Sequence, residues 1–297
     1  MSIEALSGKV FLVITGASRG IGRQIAITFG SLLQEGSHIL LLARNLNDLK
    51  AVAKNISSKV TVHTVSIDLG KATKTDFEGE LEFFIFFLFK NIYISITHVL
   101  ERQFCKNILF FYVILETILK CLSGITRDAF DRVVVVHNVG TMDVTKFVNE
   151  MMDIDDWKQF FTLNMFLPAI LNAVIMNLFD DSTNTKKVVI NITSLYAIQA
   201  NVACGYHCSA KAAREMYFKV FALENPDVNV LNYSPGIVDT DMLQTMCETI
   251  PNPEIKKELE HLQETNTVLT TEQTVNRLVE ILKEHKYKAG DHVDYYN

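Results

Sequence analysis

The stretch Thr15-Gly16-Ala17-Ser18-Arg19-Gly20-Ile21-Gly22 decides the fold, and it follows directly on the apolar run Val10-Phe11-Leu12-Val13-Ile14. An apolar strand, a glycine-rich turn and a helix in succession can hold a pyrophosphate, because the backbone N–H groups and the positive end of the helix attract the anion. The three glycines serve different purposes, since Gly16 turns the chain, Gly20 lets the backbone approach the phosphates, and Gly22 lets the helix pack closely. The spacing differs from the common G-x-G-x-x-G. The prediction therefore rests on the preceding strand and on a helix expected from Gly20 to about Gln34.

Apolar runs of strand length recur along the chain, with helical patterns between most of them. The runs have little polar alternation, which indicates strands covered on both faces. We therefore predict one α/β domain over residues 1–297, a Rossmann-type, doubly wound, mostly parallel sheet with helices on both faces. A helical lid is expected over Met246–Leu269. The predicted strands are Val10–Ile14, His38–Leu42, Val60–Ile67, Val133–Val136, Val188–Ile192, Val228–Leu231 and a short last strand near His292–Tyr295.

Composition and charge exclude several classes of protein. The chain has 297 residues, of which 48% are hydrophobic and 21% charged, as in an ordinary globular protein. A net charge of −6 argues against a nucleic-acid partner or an anionic membrane. Five cysteines without framework spacing indicate reduced thiols, and no secretory signal is evident, so we expect a cytoplasmic protein. Cys204 and Cys208 are not matched by a second group of ligands, so no metal site is predicted.

Residues 79–120 do not fit the strand and helix pattern, and we predict an atypical phenylalanine-rich insertion there. The segment holds eight of the chain's 19 phenylalanines, but its apolar runs are too short to span a membrane. The flanks Thr75–Glu78 and Cys121–Ile125 would join into one amphipathic helix without it. The residue types are those of AT-rich codons, which favours a translated intron. A hairpin that contacts lipid or a partner is the alternative. A spliced message with the segment in frame would exclude the intron hypothesis.

The glycine-rich turn, Asn138-Val139-Gly140, Asn191-Ile192-Thr193-Ser194 and Lys211-Ala212-Ala213-Arg214-Glu215 occur in an order and spacing that resemble the short-chain dehydrogenase/reductase family. The resemblance covers nearly all of the chain outside residues 79–120. It implies hydride transfer between a nicotinamide and a carbonyl or alcohol carbon, and a homodimer that forms through long helices. It departs from the family's Asn-Asn-Ala-Gly motif, because His137 and Val139 replace the first Asn and the Ala.

The resemblance also implies a cofactor, NADPH. Enzymes that use NAD place an acidic residue after the second strand, whereas this strand ends in Ala43-Arg44-Asn45. Arg44 and Arg19 match the family's pattern for holding a 2′-phosphate, although two ordinary surface arginines would look the same. The implied cofactor contacts are Gly16, Ser18, Arg19, Gly20, Ile21, Gly22, Arg44, Asn45, Asp68, Leu69, Asn138, Lys211, Pro235, Gly236 and Thr240.

Family members use four catalytic residues, and three of them are present. A Tyr hydroxyl donates the proton, a Lys one helical turn later lowers the pKa of that Tyr and binds the ribose, a Ser polarises the carbonyl, and an Asn supports a proton relay. The resemblance assigns Ser194, Lys211 and Asn164 to the last three roles. Without the resemblance, Ser194 would be interpreted as a turn or helix-cap residue and Asn164 as a hydrogen-bonding residue of the core.

His207 stands where the family has its Tyr, four residues before Lys211. Tyr206 comes one residue early, which places its side chain about 100° around a regular helix. Three hypotheses remain open. His207 is a single-base change from Tyr, or it acts as the acid with a pKa near its ordinary ~6.5, or the protein binds NADPH with little or no catalysis. Lys211 nearby would favour the neutral form of His207.

The C-terminal sequence Gly290-Asp291-His292-Val293-Asp294-Tyr295-Tyr296 is similar to that of a pterin-reducing branch of the family. There the residue matching Asp294 anchors the pterin, and a carboxylate suits two parallel N–H donors. A solvated carboxylate is the alternative. The implied function is NADPH-dependent reduction of pterin side-chain carbonyls in tetrahydrobiopterin synthesis. The alternatives are a general carbonyl or diketone reductase and a non-catalytic NADPH-binding protein.

Overall fold

The computed structural model describes residues 3–68, 115–180, 183–265 and 267–297. These residues form one seven-stranded sheet in the order β3-β2-β1-β4-β5-β6-β7, and every neighbouring pair is parallel. The predicted Rossmann-type sheet is therefore confirmed. The strand order reverses between β1 and β4, so the carboxyl ends of these strands border the crevice where such sheets bind ligands. The strands are β1 Val10–Thr15, β2 His38–Ala43, β3 Thr61–Ser66, β4 Arg132–His137, β5 Lys186–Ile192, β6 Asn229–Ser234 and β7 His292–Asp294.

Helices follow most of the strands. The first helix ends at Leu32 rather than near Gln34. The predicted lid over Met246–Leu269 is divided between the end of one helix and a second helix, since Pro251 and Pro253 interrupt the helical backbone. The helices are α1 Gly20–Leu32, α2 Leu46–Ala53, α3 115–121, α4 Ile154–Phe161, a π-helical turn Thr162–Phe166, α5 Leu167–Leu178, α6 Gly205–Glu224, α7 Asp241–Thr249, α8 Pro253–Glu264 and α9 Thr271–Glu284.

The core lies on both faces of the sheet, as the apolar runs predict. Alternate residues of β1 point to opposite layers. Leu12 packs in the layer formed with α1 and α9, whereas Phe11 packs in the layer formed with α3 and α5. The strand β3 is the exception, because it lies at the edge of the described sheet and its residues are only half-buried or exposed.

The end of the predicted insertion belongs to the folded domain. Residues 115–121 are helical, and the side chain of Ile118 is fully buried in the layer that contains Phe11. The regular structure therefore resumes before Lys120, the end predicted for the insertion. The remainder of that segment, 79–114, and the predicted cofactor residue Leu69 lie outside the described residues.

The 25-residue helical run Ile154–Leu178 is long and apolar enough to cross a membrane by length and composition, and 44% of its most apolar window is buried. The run includes α4, the π-helical turn and α5. Leu171 and Val174 on α5 pack against β1 and β4 in the core. In this fold, apolar side chains of the run pack on one face of the sheet.

Candidate active site

Asn138 holds the glycine-rich turn in place. Its Nδ2 donates to the carbonyl oxygens of Thr15, at 3.0 Å, and Gly16, at 3.2 Å. Gly16 has a φ of +66°, which glycine adopts without strain. A Cβ added to Gly22 would lie 2.4 Å from Asn138 Nδ2 and from the Gly16 carbonyl oxygen. A glycine is therefore needed at position 22 because the turn and Asn138 leave no room for a side chain. From the sequence, its role was expected to be close packing of the helix on the sheet.

The start of α1 fits the pyrophosphate of a dinucleotide. Arg19 precedes the helix and its side chain accepts no hydrogen bond from the first turn, so the first N–H groups remain available to an anion. Gly20 has a φ of +55°, and a Cβ added there would meet only the side chain of Thr240, at 3.5 Å. Ser18 and Ile21 are half-buried in the same turn. The turn thus presents backbone N–H groups and little side-chain bulk to a ligand.

The residues assigned to the 2′-phosphate lie near the end of β2 and the start of α1. Arg44 is exposed directly after β2. Asn45 caps α2, since its Oδ1 accepts from the N–H groups of Asn47 and Asp48. Arg19 donates through Nη1 to Asp241 Oδ2 at 2.5 Å, and both side chains are largely exposed. Both arginines are thus exposed at this end, and Arg19 is also paired with Asp241 in the segment that follows β6.

Lys211 is buried beneath the carboxyl end of β5. Its Nζ donates to the carbonyl oxygens of Ile192, at 2.8 Å, and Thr193, at 3.3 Å. Burial and the neighbouring Arg214 hold the pKa of Lys211 well below its usual range, and Glu215 opposes them. Ser194 comes next in the chain, and its Oγ accepts from the N–H of Tyr196 at 3.2 Å. Ser194 therefore also caps a short 3₁₀ turn, in agreement with the alternative interpretation from the sequence.

Asn164 lies in the π-helical turn between α4 and α5, and it is 1% exposed. Its Oδ1 accepts from the N–H of Thr141 at 2.9 Å, and its Nδ2 donates to the carbonyl oxygen of Phe160 at 2.9 Å. These bonds fix the segment after β4 against the turn. Such π-helical turns occur frequently at functional sites.

His207 occupies the position of the family's Tyr in the first turns of α6. The side chain is 3% exposed, and its Nδ1 has no hydrogen-bond partner. Burial, followed by the charge of Lys211, lowers the pKa of His207 to about 3. The imidazole is therefore neutral at neutral pH, which argues against the hypothesis that His207 acts as a cationic acid with its ordinary pKa.

Tyr206 faces a different part of the molecule. It is 1% exposed and packs against Trp157 and Phe160, with ring centroids 4.6 and 5.5 Å away. Its hydroxyl contributes to neither the Lys211 bonds nor those of Asn164. The helical geometry expected from the sequence thus places Tyr206 in an aromatic cluster with α4.

The residues assigned to the substrate and nicotinamide lie at the end of β7 and after β6, at the same carboxyl edge. Asp294 is 7% exposed, and its Oδ2 accepts from Ser234 Oγ at 2.6 Å while its Oδ1 accepts from the Tyr296 N–H. It is a bonded, mostly buried carboxylate rather than a solvated one. Pro235 and Gly236 come directly after β6, and Thr240 precedes α7 with its Oγ1 donating to the Val238 carbonyl.

Two buried charged residues of α6 were given no role by the sequence. Arg214 is 1% exposed, and Glu215 is 2% exposed. Glu215 Oε2 accepts from Thr193 Oγ1 at 2.8 Å and lies 2.9 Å from His292 Nδ1. The sequence offered one signal for a role near the site. Arg214 and Glu215 come three and four residues after Lys211, a spacing that places them on the same face of the helix as the lysine. Among the described residues, no group of side chains could hold a metal ion.

Comparison with known proteins gives the family. The family model for short chain dehydrogenases matches residues 10–77 and 118–251. The sepiapterin reductase of Bos taurus is 29% identical over 98% of this chain and 96% of its own length. That of Meriones unguiculatus is 30% identical, with coverage of 98% and 97%. A benzil reductase ((S)-benzoin forming) of Bacillus subtilis is 26% identical, covering 84% of this chain and 82% of its own.

Solved structures show the same fold. L-sorbose reductase from Gluconobacter frateurii, solved with NADPH and L-sorbose, superposes with a TM-score of 0.69 at 22% identity, covering 99% of this chain and 97% of its own. A short chain dehydrogenase/reductase from Saccharomyces cerevisiae gives a TM-score of 0.71 at 21% identity, with coverage of 98% and 97%. The parallel sheet, the glycine-rich turn and the family match over most of the sequence agree, and the chain belongs to the short-chain dehydrogenase family of oxidoreductases.

Proposed function

We propose that the chain is an NADPH-dependent reductase of pterin side-chain carbonyls, with the activity for which its sepiapterin reductase relatives are named. The observation that carries this proposal is the setting of Lys211. Its Nζ donates to the carbonyl oxygens of Ile192 and Thr193. Ser194 follows Thr193 in the chain, at the edge of the sheet where the glycine-rich turn also lies. A buried amino group that donates to the strand end carrying a serine suits a reaction in which negative charge develops on a carbonyl oxygen.

The described residues divide the remaining roles between them. When bound, the nicotinamide cofactor supplies the hydride for the carbonyl carbon. The first turn of α1 would hold the pyrophosphate through backbone N–H groups, and Lys211 would hold the ribose. Ser194 would orient the carbonyl oxygen, and Asp294 would bind the N–H edge of a pterin. The preference for NADPH is supported by the exposed Arg44 after β2 and by the absence of a carboxylate from Ala43-Arg44-Asn45.

In the proposed site, His207 occupies the position from which the proton would be donated. A neutral imidazole is a very poor acid, and burial next to Lys211 keeps His207 neutral. We therefore propose that the chain as written binds NADPH well and reduces carbonyls slowly. The pKa of His207 is also the observation that favours the rival function, a non-catalytic NADPH-binding protein.

A second candidate function is a reductase of apolar ketones and diketones. Apolar side chains are exposed on the loops after β4 and β5, at the carboxyl edge of the sheet: Val148 is 67% exposed, Met152 87% and Ile198 59%. They would suit an apolar substrate better than a pterin. The benzil reductase relative points to the same class of substrate.

Replacing Asp294 with Asn distinguishes the two substrates. The amide keeps the shape, because its Oδ1 can still accept from the Tyr296 N–H and its Nδ2 can donate to the Ser234 hydroxyl, but it removes the charge that would pair with a pterin. We expect the kcat/KM for sepiapterin to fall roughly 100-fold, as for the loss of a charged hydrogen bond, with little change for a diketone. Asp291→Asn, a charge loss three residues earlier, is the control. Equal loss for both substrates would contradict a pterin-specific role.

Assembly and location are part of the same proposal. Met216, Val220 and Leu223 form an apolar stripe on α6, exposed by 60%, 44% and 82%. Such a stripe on a long helix suits the expected homodimer, in which it would be covered by a second copy. The cysteines of the described residues, Cys121, Cys204, Cys208 and Cys247, are free thiols, which suits the cytoplasm.

A further inference from the structure

Arg214 is the most completely bonded charged side chain near the candidate site. All five of its N–H donors reach oxygen atoms. Nε donates to Asn191 Oδ1 at 2.6 Å. Nη1 donates to the carbonyl oxygens of Val139 and Asn164, at 2.9 and 3.3 Å. Nη2 donates to the carbonyl oxygens of Ile192, at 3.1 Å, and His137.

The five acceptors belong to separate parts of the site. His137 and Val139 flank Asn138, whose side chain holds the glycine-rich turn. Asn164 lies in the π-helical turn, and the Ile192 carbonyl also accepts from Lys211. A single buried group thus connects the cofactor turn, the Asn164 segment and the strand end that holds Lys211.

Burying a guanidinium costs free energy that packing contacts alone do not offset. None of the ion pairs formed by the described residues includes Arg214, and its bonding partners are carbonyl and amide oxygens. A buried charge without a counter-ion is strongly destabilising unless its hydrogen bonds are complete. Its positive charge also acts on the neighbouring Lys211 and His207.

We propose that Arg214 is a positioning residue for the reductase reaction, which sets the arrangement of Asn138, Asn164 and Lys211 through the backbone around them. The proposal rests on the proposed function for its kinetic consequence but not for its structural one. Arg214 is 1% exposed and all five of its N–H donors bond oxygen atoms of the protein, so none is left for a substrate or a cofactor. It acts by fixing the carbonyl groups of three segments, of which the segment after β4 and the π-helical turn are also joined by the bonds between Thr141 and Asn164.

The test compares Arg214→Lys with Arg132→Lys. Arg132 is also mostly buried and donates to the Ser7 carbonyl, but it lies at the opposite edge of the sheet. Lysine keeps the charge at both positions and loses the planar fork of donors. Both variants should lower the melting temperature, which is measured for each so that their destabilisation can be compared. All measurements are made at a temperature where the full chain and both variants are folded.

The first measurement needs no activity. Amide hydrogen exchange reports the local order of the Val139 and Thr141 N–H groups, which bond to Thr15 Oγ1 and Asn164 Oδ1. We expect exchange at both amides to be roughly tenfold faster in Arg214→Lys than in Arg132→Lys. Equal exchange in the two variants would overturn the proposal, because it would leave Arg214 with only a general contribution to stability.

The second measurement uses the reaction, in the His207→Tyr background. We expect Arg214→Lys to lower kcat about 100-fold, as misplaced catalytic groups do, with a KM for substrate that changes little. Arg132→Lys should keep kcat within about threefold of the parent. A kcat for Arg214→Lys as high as that control would overturn the proposal. If the parent reduces no carbonyl, the proposed function fails, and the exchange measurement still decides the role of Arg214.

Discussion

At the scale of single residues, His207 and Lys211 lie one helical turn apart on α6, and both are buried. Burial and the neighbouring cations act against protonation at each group and hold His207 neutral. Under the proposed function, the groups that would bind and orient the reactants are therefore present, and the group that would deliver the proton is not.

Gly22 gives a prediction for cofactor binding at this scale. A side chain there would displace Asn138 and the Gly16 carbonyl, at 2.4 Å from each. We expect Gly22→Ala to raise the NADPH dissociation constant roughly 10- to 100-fold, since overpacking distorts the turn. Titration of each variant with NADPH, followed by the fluorescence of the nucleotide, measures the dissociation constant.

The control is Gly30→Ala on the same helix, where a Cβ would lie 2.6 Å from Ile56 Cγ2, away from the turn. It should lower stability and leave the affinity of the folded protein for NADPH unchanged. The same loss of affinity in both variants would show that the clash acts through the helix as a whole.

At the scale of secondary-structure elements, α6 and β7 are joined by a buried carboxylate. Glu215 on α6 contacts His292 on β7, Thr193 after β5 and, at 2.8 Å, Lys219 one turn later. Burial alone would raise the pKa of Glu215, but the bonds from these three side chains outweigh it and lower the pKa below 4.5. The contact couples the helix that carries Lys211 to the strand that carries Asp294.

This coupling predicts a pH-dependent stability. A carboxylate with a lowered pKa stabilises the fold above about pH 4.5, and that stability is lost as the pH falls through the folded-state pKa. At neutral pH, Glu215→Gln should melt roughly 5 °C below the parent, with the difference shrinking in acid. Scanning calorimetry at several pH values measures this difference in melting temperature. Glu248→Gln, at an exposed position, is the control. A difference that stays constant into acid would contradict this role.

The elements of the fold could be predicted from the sequence more completely than the contacts of the site. The strand runs were located to within about two residues at most ends, because parallel strands buried on both faces have long apolar runs. The effect of Lys211 on the pKa of His207 was predicted, whereas the bonds of Arg214 and the burial that lowers this pKa most could not be. Both depend on groups brought together by the strand order from positions far apart in the chain.

At the scale of the whole molecule, the family match ends at residue 77 and resumes at residue 118. The structure describes helix again from residue 115, and Ile118 is fully buried, whereas the adjacent Leu119 is 48% exposed. The intron hypothesis for the phenylalanine-rich segment therefore applies to a stretch that ends before Ile118. Sequencing of the spliced transcript tests that hypothesis directly.

The folded end of this segment gives a stability prediction. Ile118→Ala leaves a cavity against the layer that contains Phe11, so we expect a loss of about 2–5 kcal/mol in the free energy of unfolding. Leu119→Ala should change it by less than about 0.5 kcal/mol, because that side chain is half-exposed. Urea unfolding measures both. Equal effects of the two substitutions would mean that residues 115–121 do not pack on the sheet.

The measurement that tests the central claim most directly is NADPH oxidation with sepiapterin by the full chain and its His207→Tyr variant. The account predicts that both bind NADPH with similar affinity and that the Tyr variant turns over roughly 100- to 10,000-fold faster, the range of general acid catalysis. Tyr206→Phe, which removes a hydroxyl from the aromatic cluster, should leave the rate unchanged. A Tyr variant no faster than the parent, with NADPH bound to both, would contradict the assignment of Lys211, Ser194 and Asn164 to a reductase site.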